Sequence, residues 1–359
     1  MCARPKRAPF AQSTTARVLS LLREGGGAFV SGEAICRRLG LSRVAVWKHI
    51  HTLADQGCRI EARRHVGYRL TSPPDLPTEE AVAPLLGARR LGRPLLFFRE
   101  ADSTNRQAAS RAAAGAPEGL VIVADYQSAG RGRMGRGWYS PKGANLYFSI
   151  VLRPDVGVAH VPSLPLVAGC AVARTLARLA PDLPVRVKWP NDLLVDNRKL
   201  GGILCEMAAE ADRVEHVVVG IGLNVNLRRG RLPRALAATA TSLALATGRT
   251  WPRADVLAAL LREFEEAYDL WCAEGLEPFL PELAARDALK GRPVRIQQSA
   301  GRVVEGIAAG IQSDGSLLVR QDAGTEVLVY SGDAHLLPPE KEAGGAPGAP
   351  PAKKNPALP

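Results

Sequence analysis

Ten residues at positions 129–138, AGRGRMGRGW, hold three arginines and four glycines. Glycine tolerates positive φ and lets backbone N–H groups approach a ligand closely. Arg131, Arg133 and Arg136 are then free to converge on carboxylate or phosphate oxygens. The same composition would suit a flexible arginine–glycine tether for nucleic acid. The setting separates the two readings. The stretch lies between two apolar runs, LVIVADYQ and NLYFSIVL, and runs into Trp138 and Tyr139. Tethers of that kind belong to polar low-complexity regions, not to a β framework. An anion cradle is the better reading.

Two further loops carry candidate chemistry. DSTN, residues 102–105, offers hydroxyl and amide groups suited to a neutral polar ligand. Taken alone it fits a helix N-cap better, because a helical pattern follows. VKWPNDLLV, residues 187–195, places Lys188 at a strand end before a Trp-Pro turn, with Asn191 and Asp192 at its exit. A lysine there could steady developing negative charge, or be an ordinary turn residue. There is no P-loop pattern and no G-x-S-x-G elbow. Six cysteines (positions 2, 36, 58, 170, 205 and 272) form no C-x-x-C pair, and six histidines are scattered. Free thiols are expected, and no covalent nucleophile or metal-ligand spacing is readable.

These loops need a framework. Residues 78–287 read as a mixed α/β body, in which apolar strands alternate with helices. VRVKWPNDLLV and KLGGILCEM read as two of its strands. Residues 288–337 give short strands with glycine turns, the pattern of a small SH3-like β-barrel. Residues 13–70 form a separate head. Ser31 and Ser42 can each cap a helix, Gly40 sits at the turn between them, and Val46, Ile50 and Leu53 share one face. That is a helix-turn-helix, followed by two extended runs with Arg63, Arg64 and His65 between them, a basic wing. Residues 1–72 carry nine of the chain's twelve net positive charges, so the head is expected to meet a polyanion. Ser42, Arg43, Lys48 and His49 on the second helix, with Arg63 and Arg64 on the wing, are the candidate DNA contacts. A plain helical bundle with a hairpin is the alternative. TSPPDLP, residues 71–77, reads as a proline-rich linker. Residues 1–12 and 338–359 read as disordered tails. The fold class is α+β. No membrane-length apolar run or secretory signal is visible, which points to the cytoplasm.

Taken together, DSTN, YQSAGRGRMGRGW, NLYFSIVLRP, VKWPNDLLV, RKLGGILCE, GIGLNVN and the N-terminal SRVAVWKHI resemble the biotin–protein ligases that double as biotin operon repressors. The likeness runs over about residues 13–337. It implies a winged helix, a class II synthetase-like catalytic domain and an SH3-like barrel. It implies that biotin and ATP, with Mg²⁺ brought by the nucleotide, give biotinyl-5′-AMP, and that a lysine of a biotin carboxyl carrier domain, typically of acetyl-CoA carboxylase, then takes the biotin. Both nucleophiles come from substrates, which fits a chain with none of its own. Matched position by position, Ser103, Thr104, Asn105, Gln127, Arg131, Gly132, Arg133 and Lys188 become biotin contacts. Arg131, Arg133 and Lys188 would also stabilise the adenylate, and Asn224 would lie near the nucleotide. Operator DNA of biotin genes and a homodimer, formed when biotinyl-AMP is bound and using the loop after KWPNDLLV, follow from the same resemblance. Family members often carry arginine where this chain has Met134. The alternatives are a lipoate-type ligase of the same fold, a ligand-sensing repressor without catalysis, and a ligase whose head no longer represses.

Overall fold

The computed structural model describes residues 13–72, 75–298, 301–321 and 324–337. Both expected disordered tails, with Cys2, lie outside the described residues. The head comprises α1 (Thr14–Glu24), α2 (Gly32–Leu39), α3 (Arg43–Asp55), β1 (Arg59–Arg63) and β2 (Gly67–Ser72). Ser13, Ser31 and Ser42 each accept a hydrogen bond from the backbone N–H three residues on, so each helix begins at a serine cap. Gly40 ends α2 at φ 68°, the left-handed conformation glycine adopts without penalty. Leu19, Leu22, Ile35, Val46 and Leu53 fill the space between the helices. β1 and β2 pair antiparallel as the wing, and the Phe29 ring lies 4.8 Å from the guanidinium carbons of both Arg63 and Arg69.

The body holds α4 (Glu79–Leu86), β3 (Leu95–Phe98), α5 (Thr104–Ala113), β4 (Val121–Ala124), β5 (Leu146–Leu152), α6 (Leu164–Leu179), β6 (Arg186–Lys188), β7 (Asp192–Val195), β8 (Arg198–Glu210), β9 (Arg213–Leu223), α7 (Leu243–Thr247), α8 (Arg253–Glu274) and α9 (Leu280–Arg286). Its sheet has the order β3-β4-β5-β9-β8-β7-β6, antiparallel except for β3 with β4. Side chains alternate across it. Val121, Val123, Phe148, Ile150, Val217 and Val219 join the core that includes α6 and α8, whereas Ile122, Val151 and Val218 join Ala108 and Ala112 of α5. Covering both faces explains why these strands read as unbroken apolar runs.

Two local expectations need correction. VRVKWPNDLLV is not one strand: it breaks after Lys188 at the expected Trp-Pro turn and folds into the antiparallel pair β6 and β7. The 71–77 segment is not a free linker. Thr71 and Ser72 belong to β2. The Asp75 carboxylate accepts from Arg253 (3.0 and 2.6 Å), a fully buried side chain that also reaches Asp125 (2.8 Å). Arg23 of α1 adds a 3.0 Å ion pair to Asp255 of α8.

The C-terminal module contains β10 (Pro293–Gln297), β11 (Val303–Ile311), β12 (Leu317–Arg320), β13 (Glu326–Val329) and β14 (Asp333–Leu336), an antiparallel sheet ordered β13-β12-β11-β10-β14. It docks beside the β6–β7 turn, where buried Trp189 donates its indole N–H to the Gly315 carbonyl (3.0 Å).

Candidate functional site

At the carboxyl end of β3 the chain turns through Asp102 into α5. Ser103 stands at the N-cap position but makes no capping bond; Asp102 accepts from the Ser103 backbone N–H and from the Gln107 side-chain amide. Thr104 donates through its backbone N–H and its hydroxyl to Gln127 Oε1 (2.8 and 3.2 Å). Ser149 of β5 donates to Asn105 Oδ1 (2.7 Å), and the Asn105 amide donates to Glu206 Oε2 (2.8 Å). Ser103, Thr104, Asn105 and Gln127 are all buried and line one cleft with Arg131, Gly132 and Arg133. Seven of the eight residues expected to hold biotin thus meet at one place. Its far wall is β9, where glycine is required. A Cβ at Gly220 would fall 1.8 Å from Asn105 Oδ1, and one at Gly222 would fall 2.6 Å from the Trp138 indole nitrogen.

The cradle is held from several sides. Arg131 pairs with Glu206 at 3.0 Å, and Arg136 pairs with Asp333 of the C-terminal module at 2.7 Å. Arg133 donates to the Gly332 carbonyl (3.2 Å) and lies 3.4 Å from Asn191 Oδ1. Burial lowers the Arg133 pKa, yet guanidinium stays charged at any working pH. Met134 adopts φ 55° and is 58% exposed, outside the lining of the cleft. The position where the family pattern is not met therefore projects to solvent.

Lys188 lies apart from the other seven. It lines a second cleft with Trp138, Tyr139, Asp192, Lys199, Asn224, Leu227, Leu232 and Leu236. Burial lowers its pKa, and the Asp192 carboxylate at 4.0 Å works against that shift. Asp192 also pairs with Lys199 at 2.6 Å. Lys199 and Trp138 line both clefts, with the ammonium 5.3 Å from the indole ring centre. The Trp138 indole nitrogen is buried with no hydrogen-bond partner among the described residues. Asn224 bonds Asn145 and the Thr241 carbonyl beneath the second cleft, at the start of the segment 225–240 that walls it. Sequence reasoning missed Lys199, Trp138 and Glu206. The RKLGG motif held a signal, since the β7–β8 register sets Lys199 opposite Leu194, close to the Lys188 turn.

Cys58, Cys170 and Cys205 are not poised as nucleophiles. Burial pushes Cys58 up to about 11 and Cys170 up to about 12, and burial likewise raises Cys205. Cys36, Cys58, Cys170 and Cys205 are free thiols. Among the described residues no three His, Cys, Asp or Glu side chains gather as a metal site, and no helix is long and apolar enough to cross a membrane.

On the head, Ser42, Arg43 and Lys48 are exposed along α3, and Arg63 and Arg64 are exposed on the wing. His49 departs from them: it is half-buried, with Nδ1 2.9 Å from the Thr15 hydroxyl of α1. The outward stripe of α3 is instead Val44 (64% exposed), Trp47 (51%), Lys48 and His51. His51 braces Trp47, with its ring 3.8 Å from the indole and Nδ1 3.0 Å from the Trp47 carbonyl.

Comparison with known proteins agrees with this division. Residues 97–224 match the Biotin/lipoate A/B protein ligase family, 14–69 an HTH domain and 290–337 the Biotin protein ligase C terminal domain. The chain is 38% identical over 319 residues to the Bifunctional ligase/repressor BirA of Bacillus subtilis, covering 89% of this chain and 97% of that one. It is 36% identical over 306 residues to the protein of the same name from Escherichia coli K12, covering 85% and 92%. A biotin protein ligase from Aquifex aeolicus, solved in complex with biotin and ATP, superposes with TM-score 0.59 at 30% identity, over 68% of this chain and 98% of that one. With two clefts joined in its body and a helix-turn-helix ahead of them, this chain belongs to the family of bifunctional biotin ligase/repressors.

Proposed function

We propose that this chain activates biotin with ATP, transfers it to a lysine of a biotin carboxyl carrier domain, and represses biotin genes through its head. The observation that carries the catalytic half is the pair of clefts meeting at Trp138 and Lys199. The first, walled by Ser103, Thr104, Asn105 and Gln127, suits the polar ring of biotin. The second, with Leu227, Leu232 and Leu236, suits a nucleotide base. Their junction is where carboxylate and α-phosphate would meet.

In the first step a biotin carboxylate oxygen attacks the α-phosphorus and pyrophosphate leaves. In the second, the carrier amine attacks the acyl carbon, AMP leaves, and the amine gives up a proton. The chain positions both substrates and offsets charge on phosphoryl and carbonyl oxygens. Arg131 and Arg133 serve the cradle side, and Lys188 and Lys199 the nucleotide side. Each is held by a carboxylate or carbonyl that an anionic ligand can displace or share. Mg²⁺ brought with ATP would supply charge neutralisation on the phosphates. Among the described residues Asp192 is the acid that lines the clefts, with Glu206 paired to Arg131 beside them, too few for a resident all-protein cage, so phosphates and water would complete its shell. A cytoplasmic setting, and a homodimer formed once the adenylate is bound, complete the reading.

The test is labelling of a carrier domain that requires both biotin and ATP. AMP release driven by lipoate but not biotin would move the chain to the lipoate-type alternative. Band shifts with DNA upstream of biotin genes test the head. Labelling without any specific shift would leave a ligase whose head no longer represses.

A further inference from the structure

The segment 225–240 walls the second cleft through Leu227, Leu232, Leu236, Thr239 and Ala240. Its ends are pinned. Asn226 exchanges hydrogen bonds with Trp251 (2.8 and 2.9 Å), Ser242 donates to the Leu227 carbonyl (2.7 Å), and Lys199 N–H donates to the Thr239 carbonyl (2.7 Å). Between those ends, residues 228–238 are exposed or half-buried. Among the described residues their hydrogen bonds to the body converge on one position. The Tyr139 hydroxyl donates to the Arg231 carbonyl (2.9 Å), and the Arg231 guanidinium donates to the Lys142 carbonyl (2.7 Å).

We propose that Tyr139 is a positioning residue: its hydroxyl latches segment 228–238 against the cradle and so holds the second cleft closed. This rests on reading that cleft as the nucleotide site. The physical argument is one of leverage. Pinned ends fix where the segment starts and stops but leave its middle free to swing outward. A segment with little buried apolar surface and exposed hydrogen bonds opens readily. Two hydrogen bonds then hold its centre, and the one borne by the loop that ends the cradle is the Tyr139 hydroxyl, beside the Arg231 bond to the Lys142 carbonyl. Tyr139 follows Trp138 directly, so a shift of the cradle on ligand entry is passed to the lid through one peptide bond. The latch acts on retention of whatever fills the cleft, not on bond making at the junction.

The lid brings its own reporter. Arg228, Arg229, Arg231 and Arg234 are exposed trypsin sites within it. Tyr139→Phe removes the hydroxyl and keeps the ring. In full-length protein without nucleotide, cleavage between 228 and 234 is expected to run about three to ten times faster in this variant, the range a single neutral hydrogen bond spans. Biotin and ATP should protect wild type. The KM for ATP should rise by a similar factor while the KM for biotin stays put, and the thermal midpoint should hold. Equal cleavage rates and equal ATP KM values in the two proteins would overturn the latch. So would a parallel rise in both KM values, which would mark a general loosening. If ATP leaves wild-type cleavage unchanged while Tyr139→Phe still speeds it, the latch stands and the nucleotide reading of the cleft falls.

Discussion

The cradle and the head both present arginines to an anion, but they hold them differently. In the cradle every arginine is tied: Arg131 to Glu206, Arg133 to the Gly332 carbonyl, Arg136 to Asp333. On the head, Arg43, Lys48 and Arg64 are exposed and make no ion pair with a described residue. A small ligand bound once, in one pose, rewards charge that is already in place. A long polyanion rewards many loose cations that displace its counterions, whatever their exact rotamers. The wing shows both habits, for Arg63 pairs with Glu61 and lies by Phe29 while Arg64 makes no ion pair with a described residue.

The largest expected effect breaks the cradle alone. Arg133→Gly removes a half-buried cation that joins the loop to the C-terminal module. Charge-assisted hydrogen bonds are worth about 1.5–3 kcal/mol, so bound adenylate should dissociate roughly 10–100 times faster. Biotin affinity should fall with it, while DNA binding by the unliganded head is unchanged. Adenylate off-rates measured by filter retention check this. Wild-type retention in the variant would mean that the tied arginines are structural only.

Neutralising the head should give a smaller and different response. Arg43→Ala and Lys48→Ala should each weaken operator binding and lower the slope of log K against log salt by about one for each phosphate that is no longer neutralised. Carrier labelling should be untouched. Trp47→Ala should change base preference and leave that slope alone, because an indole can meet base edges but neutralises no phosphate. Titrations at several salt concentrations separate the two outcomes. An unchanged slope in Arg43→Ala and Lys48→Ala would erase the contrast between tied and loose cations.

The same contrast explains what was legible in the sequence. The head's caps, turn and buried stripe are local, so Ser31, Gly40, Ser42, Val46 and Ile50 could be placed from spacing alone. His49 could not, because its partner Thr15 lies on another helix. In the body, DSTN and the arginine loop showed their chemistry but not their ties. Glu206 sits mid-strand in a run that looks structural, and only the β8–β9 register brings it under Asn105 and Arg131. Lys199 was visible as part of a motif, but nothing local says that Asp192 holds it at the junction of two clefts. Arg253 gave no sign at all. A single arginine opening an amphipathic helix becomes the anchor of the proline-rich segment only when Asp75 and Asp125 arrive from far away in sequence.

The smallest effect concerns the fourth cation of the site, Lys188, and here the sign needs care. Burial lowers its pKa, with Asp192 and Asp333 opposing and Lys199 adding to the shift. Its charge is therefore lost as pH rises through a value below that of an ordinary lysine, about 10.4. Adenylation should fall on the alkaline side earlier than free lysine chemistry would allow, and Lys188→Arg should move that limb to higher pH whatever it does to the absolute rate. Stability runs the other way. The unfolded chain binds the proton more tightly than the folded one, so this residue's contribution to stability improves as pH rises from the folded pKa to the unfolded pKa. Lys188→Met should melt slightly above wild type at neutral pH, and the gap should close toward about pH 10, near the ordinary lysine value. Melting curves across that range would decide the matter: a gap that widens with pH would mean that Asp192, not burial, dominates at Lys188.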